Sequence, residues 1–123
     1  MDKLIKNYVA GAAVTKRRIV KKGAADENVI LSAAATDASV GVSTDVSADS
    51  GERCDVVHFG ITDVEAGGAI ADGGFFTSDA SGKAVAAAPG TGVNNRTVGM
   101  ALETAAADGD IIRVFVFPGQ VQG

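Results

Sequence analysis

Apolar and polar residues alternate through Arg53–Thr62 (RCDVVHFGIT) with the two-residue period of a half-buried strand. Cys54, Val56 and His58 fall on one face, and Arg53, Asp55, Val57 and Phe59 on the other. The pattern recurs. Displaced by 58 positions, Val40–Gly60 (VGVSTDVSADSGERCDVVHFG) aligns without a gap on Val98–Pro118 (VGMALETAAADGDIIRVFVFP). Val40 and Val98, Gly41 and Gly99, Ala48 and Ala106, Gly51 and Gly109, Val56 and Val114, and Phe59 and Phe117 are identical. Two copies at so long a period point to a duplicated β unit rather than a solenoid. In the second copy Ile112, Val114 and Val116 share one face of the strand, and Ile111, Phe115 and Phe117 share the other. A strand apolar on both faces must be covered twice, by the core and by a second layer or subunit. Left at an open edge, RVFVF would invite aggregation.

The remaining elements are short. Residues 1–15 form an extended N-terminal arm, in which Leu4, Ile5, Tyr8 and Val9 suit an amphipathic turn or a strap. Such an arm is either a frayed terminus or a segment laid on a neighbouring subunit. Lys16, Arg17, Arg18, Lys21 and Lys22 are five of the eleven basic residues. They predict a strand over 16–22 whose charges blunt a sheet edge or meet an acidic surface. Val29–Ala34 and Val40–Ser43 are the next strands, and Asp45–Glu52 is a polar loop. Glycines 67, 68, 73, 74 and 82 punctuate short apolar segments, including Phe75–Ser78 and Lys83–Ala88, and predict hairpins. Pro89–Arg96 is an exposed loop, and Pro118-Gly119 closes the last strand. No stretch sustains a helical period. The expected fold is all-β: a small β-barrel or sandwich built from two pseudo-repeated units (about 40–60 and 98–118), one domain over 16–123 with the arm over 1–15.

Composition sharpens this. A chain of 123 residues has room for one domain. Much of its 46% apolar content is alanine and its aromatic content is only 5%, so its core layers stabilise weakly. Burial against further copies would compensate. A net charge of −4 and a pI near 4.8 disfavour nucleic acid as a partner. The basic run also lacks interleaved aromatics for base stacking. The single Cys54 cannot form an internal disulfide, no run of about 20 apolar residues would span a membrane, and the N-terminus makes a poor signal peptide.

Candidate chemistry is sparse. Cys54 and His58 share a face but stand four residues apart, roughly 13 Å along a strand, too far for a nucleophile–base contact. His58 therefore reads as a satisfied, semi-buried histidine. Zinc wants four N/S ligands, which one His and one Cys do not supply. Ser81-Gly82-Lys83 lacks the remainder of a phosphate loop, and Asp45, Asp49 and Glu52 lack the alternating ligands of a calcium loop. Asn95-Arg96-Thr97 matches a glycosylation sequon, relevant only in a secretory pathway. No catalytic, cofactor or metal site is expected.

The ordered set of pieces resembles a known family. Val40-Gly41-Val42 precedes Ser50-Gly51-Glu52, and Gly60-Ile61 leads into Glu65-Ala66-Gly67-Gly68. Thr77-Ser78-Asp79 and Gly82-Lys83-Ala84 follow, then Val98-Gly99-Met100-Ala101-Leu102, Gly109-Asp110-Ile111-Ile112 and Pro118-Gly119. Over roughly residues 15–119 this is similar to the small capsid decoration, or cement, proteins of tailed bacteriophages, an Ala/Gly-rich group long known as a domain of unknown function. The resemblance implies a non-enzymatic virion protein, made in the host cytoplasm and bound to the outside of an icosahedral head. There it would clamp neighbouring major capsid subunits, commonly as a homotrimer. Its contacts to capsid or to other copies would then be Leu4, Ile5, Tyr8 and Val9 in the arm, with Lys16, Arg17, Arg18, Lys21 and Lys22 toward an acidic capsid surface. Two other classes stay open: a carbohydrate-binding or host-adhesion β module, disfavoured by one Tyr and no Trp, and a lysine-modified carrier domain, for which Lys83 lacks the local context.

Overall fold

The computed structural model describes residues 3–25, 27–88 and 94–122, and every regular element among them is a strand. The strands are β1 (Leu4–Ala10), β2 (Ile19–Lys22), β3 (Asn28–Leu31), β4 (Ser39–Ser43), β5 (Arg53–Glu65), β6 (Phe75–Ser78), β7 (Ala84–Ala86), β8 (Asn94–Ala101) and β9 (Ile111–Gln122). They follow one another in space as β1-β3-β2-β4-β5-β9-β8-β6-β7, and β1 also pairs with β5. That extra pairing, from Leu4 opposite Phe59 to Val9 opposite Arg53, closes β1-β3-β2-β4-β5 into a five-stranded barrel.

The second half of the chain repeats the first, strand for strand. Ile19 lies opposite Val42 and Val20 opposite Gly41 between β2 and β4; Phe75 lies opposite Met100 and Phe76 opposite Gly99 between β6 and β8. Val42 pairs with Val57 and Ser43 with Val56, as Met100 pairs with Phe115 and Ala101 with Val114. Tyr8 faces Cys54 as Val64 faces Ile112. The parallel contact of Ala10 with Val29 returns as the parallel bridge of Ala66 with Ala84, which closes β5-β9-β8-β6-β7. Even the amide of Ala10 donating to Glu52 O (2.8 Å) has its twin in Ala66 donating to Asp110 O (2.7 Å). The duplication thus runs far beyond 40–60 and 98–118. It comprises two small barrels: β1–β4 with the first half of β5, then the second half of β5 with β6–β9.

β5 belongs to both. From Arg53 to Phe59 it pairs with β1, and from Gly60 to Glu65 with β9. The changeover falls on Gly60, whose φ of 118° is one that side chains rarely permit. The two repeat glycines have a different reason. A Cβ on Gly41 would overlap the Val57 carbonyl, and one on Gly99 the equivalent Phe115 carbonyl. Each barrel crosses its strands so closely there that only hydrogen fits.

The first core holds Tyr8, Ala10, Val14, Val20, Val29, Ala48, Cys54 and Val56, with Leu31 and Val40 packed against it. Val64, Ala66, Ile70, Phe76, Ala84, Val98, Ile112, Val114 and Val116 form the second. Ile19, Val42 and Val57 point out of the first barrel yet are fully buried, because they join the second core cluster. The barrels are also joined by backbone bonds: Ile19 N–H to Gly82 O (2.7 Å), Arg96 N–H to Ala35 O (2.7 Å) and Glu65 N–H to Arg17 O (2.9 Å).

Several expectations need correcting. The 4–10 part of the expected arm is extended, but it is hydrogen-bonded into its own chain as β1. The basic strand starts only at Ile19, because Arg17 sits in a turn at φ 57°, and β2 lies between β3 and β4 rather than at an edge. Asn94–Arg96 belongs to β8, not to a loop, while 89–93 lies outside the described residues. Pro118 does not end β9. Thr97 pairs with Gly119 but Gly99 with Val116, so β9 carries one extra residue there, and a proline fits at a bulge that asks no ladder N–H of it.

The twin glycines make a matched prediction. Gly41→Ala and Gly99→Ala should each destabilise the fold by about 1–3 kcal/mol through overpacking against a carbonyl. Thermal unfolding of both variants against wild type checks this; unchanged midpoints would show that the strands can move apart.

Candidate interaction surface

In the first barrel the chemistry-bearing side chains are occupied. His58 is half-buried; its Nδ1 lies 2.8 Å from Val40 O and its Nε2 2.7 Å from Tyr8 Oη. A carbonyl only accepts, so Nδ1 carries a proton, and in the neutral ring Nε2 accepts from the Tyr8 hydroxyl. Cys54 is buried, and burial, with the nearby Asp55 charge, pushes its thiol pKa up, away from a nucleophilic thiolate. In the acidic loop Glu52 Oε1 accepts from the Asp49 amide at 2.7 Å, so that carboxylate braces its own turn. Asn95 of the sequon is buried in β8.

The residues expected to make contacts are dispersed. Leu4 and Ile5 are 61% and 47% exposed, whereas Tyr8 is buried in the first barrel and Val9 half-buried. The Lys6 and Lys22 ammonium groups each lie 5.3 Å from the Tyr8 ring centroid, within cation–π range. Lys16 is exposed. Arg18 is turned inward: its Nε meets Glu65 Oε1 at 3.1 Å and its Nη1 donates to Ser81 O at 3.0 Å, tying one barrel to the other. Lys21 is held by Asp37 at 3.0 Å. Arg17 lines a cleft of about 580 Å³ with Lys3, Ile5, Asp63 and Arg113, so the structure does bring Ile5 and Arg17 together.

A second apolar feature lies elsewhere. Ile61 on β5 stands opposite Phe115 on β9, Phe115 opposite Met100 on β8, and Met100 opposite Phe75 on β6. Paired residues project from the same face of a sheet, so these four make one row across the outside of the second barrel. Phe59 and Phe117 extend it. Ring centroids are 5.3 Å apart for Phe59–Phe115 and Phe115–Phe117, and 6.2 Å for Phe75–Phe117, all edge-to-face. Phe59 is 51% and Phe75 48% exposed, and Leu4, opposite Phe59, prolongs the stripe. The signal in the sequence was the doubly apolar strand Ile111–Phe117, which demanded a second cover. Among the described residues that outer face is lined by phenylalanines, and Ile111 on the same strand stays 47% exposed.

A family model described as phage cement protein matches residues 2–116. Among solved structures, the head fiber gp8.5 N base of bacteriophage phi29 is similar in fold, with a TM-score of 0.65 at 20% identity over 94% of this chain and 95% of that one. No curated protein sequence matches.

The Asp37 clasp on Lys21 carries a pH signature. Its carboxylate accepts from the Ala33 and Ala34 amides at 2.8 and 3.1 Å as well as from Lys21. The Ala33 amide foremost, with Lys21 and the Ala34 amide, lowers its pKa despite partial burial. A lowered folded pKa contributes stability above the unfolded value, about 3.9, that is lost as pH falls further through the folded one. Thermal midpoints should therefore drop below about pH 4 in wild type and drop less in Asp37→Asn; equal acid sensitivity in both would remove Asp37 as a contributor.

Proposed function

The chain belongs to the phage cement protein family, and from that membership we propose that it decorates the outside of a tailed-phage icosahedral head and holds neighbouring major capsid subunits together. Its place among structural proteins of the phage head rests on the family match over residues 2–116. The fold it shares with a head fiber base agrees. The physical design suits the task. Two barrels fused through one strand make a compact body with several outward faces, and each face can meet a different neighbour. Many copies on a symmetric shell turn modest contacts into strong attachment.

In this reading the partners are the major capsid protein and further copies of the chain, associated as a homotrimer. Leu4 and Ile5 offer apolar contact beside the cleft. Lys16, Arg17 and Lys22 offer positive charge toward an acidic shell, while Arg18 and Lys21 hold the body together. With both nitrogens of His58 engaged and Cys54 buried, the body is suited to binding rather than to catalysis.

Co-sedimentation with expanded heads lacking the protein tests the reading. Wild type should saturate the heads at a fixed stoichiometry and raise their melting temperature. Truncating 1–14 would open the first barrel, so the contact is better probed at the surface. Leu4→Ser/Ile5→Ser and Lys16→Glu/Lys22→Glu should each weaken attachment by about tenfold, or about 1.4 kcal/mol. Wild type that fails to bind heads at any maturation stage would overturn the proposal.

A further inference from the structure

The duplication places an equivalent of the phenylalanine face on the first barrel. Its counterpart on the first barrel is the cross-strand row Ile5, Val57, Val42 and Ile19, assembled through the same pairings as Ile61, Phe115, Met100 and Phe75. In that first row Val57, Val42 and Ile19 are 0% exposed, because the second barrel covers them and β4 packs on β8 and β9. The same outward face of one fold is thus seen twice, once fully covered and once with Phe75 exposed and Ile61, Phe115 and Met100 half-buried, and where it is covered the occupant is another copy of the barrel.

The second row is also the bulkier of the two. Phenylalanine stands where the covered row has Val57 and Ile19, and methionine where it has Val42. Four of the chain's five phenylalanines lie on this face: Phe59, Phe75, Phe115 and Phe117; Phe76 alone is in the core. Folding does not require them there, since outward strand positions accept polar residues. With Leu4, Ile61 and Met100 they make a contiguous apolar patch in which Leu4, Phe59 and Phe75 are about half exposed or more, and the leading apolar patch of a protein is often functional. Asp63 and Arg113, paired side by side on β5 and β9 and both exposed, give it the polar rim of a protein interface.

We infer that the Ile61–Phe115–Met100–Phe75 row, flanked by Phe59 and Phe117, is the docking face for a second copy of this chain. The contact extends between molecules what the covered row already does within one. It deepens the association of copies proposed above by giving it a surface, but it needs no capsid to form. A head-to-tail contact repeated about a three-fold axis would close into the trimer proposed above, whereas patch on patch would make a two-fold dimer in its place. Both bury the same residues.

The test is the mass of the purified full chain, by multi-angle light scattering and sedimentation from about 1 to 100 µM, a range that resolves micromolar self-association. Wild type should assemble as a dimer or trimer. Phe59→Ser/Phe75→Ser, which alters two half-exposed side chains and leaves both cores intact, should weaken assembly by about a hundredfold and run as monomer where wild type is assembled. Val46→Ser, at a 67% exposed valine away from the row, should assemble as wild type does. Circular dichroism and thermal melting of the double variant check that it folds. Wild type that stays monomeric throughout overturns the inference without recourse to any variant, as does a folded double variant of unchanged mass. A monomeric wild type whose double variant loses head binding would assign the face to the capsid instead, overturning this inference while the decoration reading stands. Assembly through the face by a chain that ignores heads would do the reverse.

Discussion

Everything in this molecule depends on β5 serving two barrels. Its first half is hydrogen-bonded to β1 and β4, and its second half to β9. A barrel closes only when its last strand finds its first, and here the strand that closes one barrel opens the next. The change of partner at Gly60 needs a backbone dihedral of 118°, so a single residue without a side chain joins the two units. Because the strand is continuous, the barrels cannot separate as flexibly linked domains do. The outward row of the first is therefore pressed against the second, and Ile19, Val42 and Val57 become core. For a chain this short and this rich in alanine, sharing a strand and an interface is a way to obtain burial that two separate barrels of about 60 residues would lack.

How much of this was legible in the sequence follows from where the two copies kept their spacing. Between Val40 and Gly60 and between Val98 and Pro118 no residue is inserted, so the β4–β5 and β8–β9 hairpins appeared as an ungapped repeat, and their shared register is what the structure shows. Upstream, the copies differ in turn length. Val20 answers to Phe76 and Ala10 to Ala66 at a separation unlike the one in the hairpins, and few of those residues are identical. Barrel geometry preserves which residues face each other without preserving their identity, so this half of the duplication is visible only in the pairing. Pro118 misled for a related reason: proline usually marks a strand's end, but a bulge relieves it of its ladder bond.

The candidate surface divides in the same way. Exposed Leu4 and Ile5 were within reach of pattern reasoning, because a short apolar run beside lysines has no core of its own. The basic cluster was not, since sequence proximity says nothing of Glu65 and Asp37, which take Arg18 and Lys21 as partners from elements far along the chain. The phenylalanine row lay between these cases. Ile111–Phe117 announced that it needed covering on two sides, but the alignment of Phe75, Met100 and Ile61 beside Phe115 required the sheet order. Membership of the phage cement family places that surface on a structural protein of the phage head.

The most direct measurement is a cryo-electron microscopy reconstruction of phage heads, emptied of this protein and then rebound with it. The account predicts two-lobed density, one lobe per barrel, on the outer surface across boundaries between major capsid subunits, at symmetry-related positions. Heads indistinguishable from those without the protein, or density confined to the interior, would contradict it.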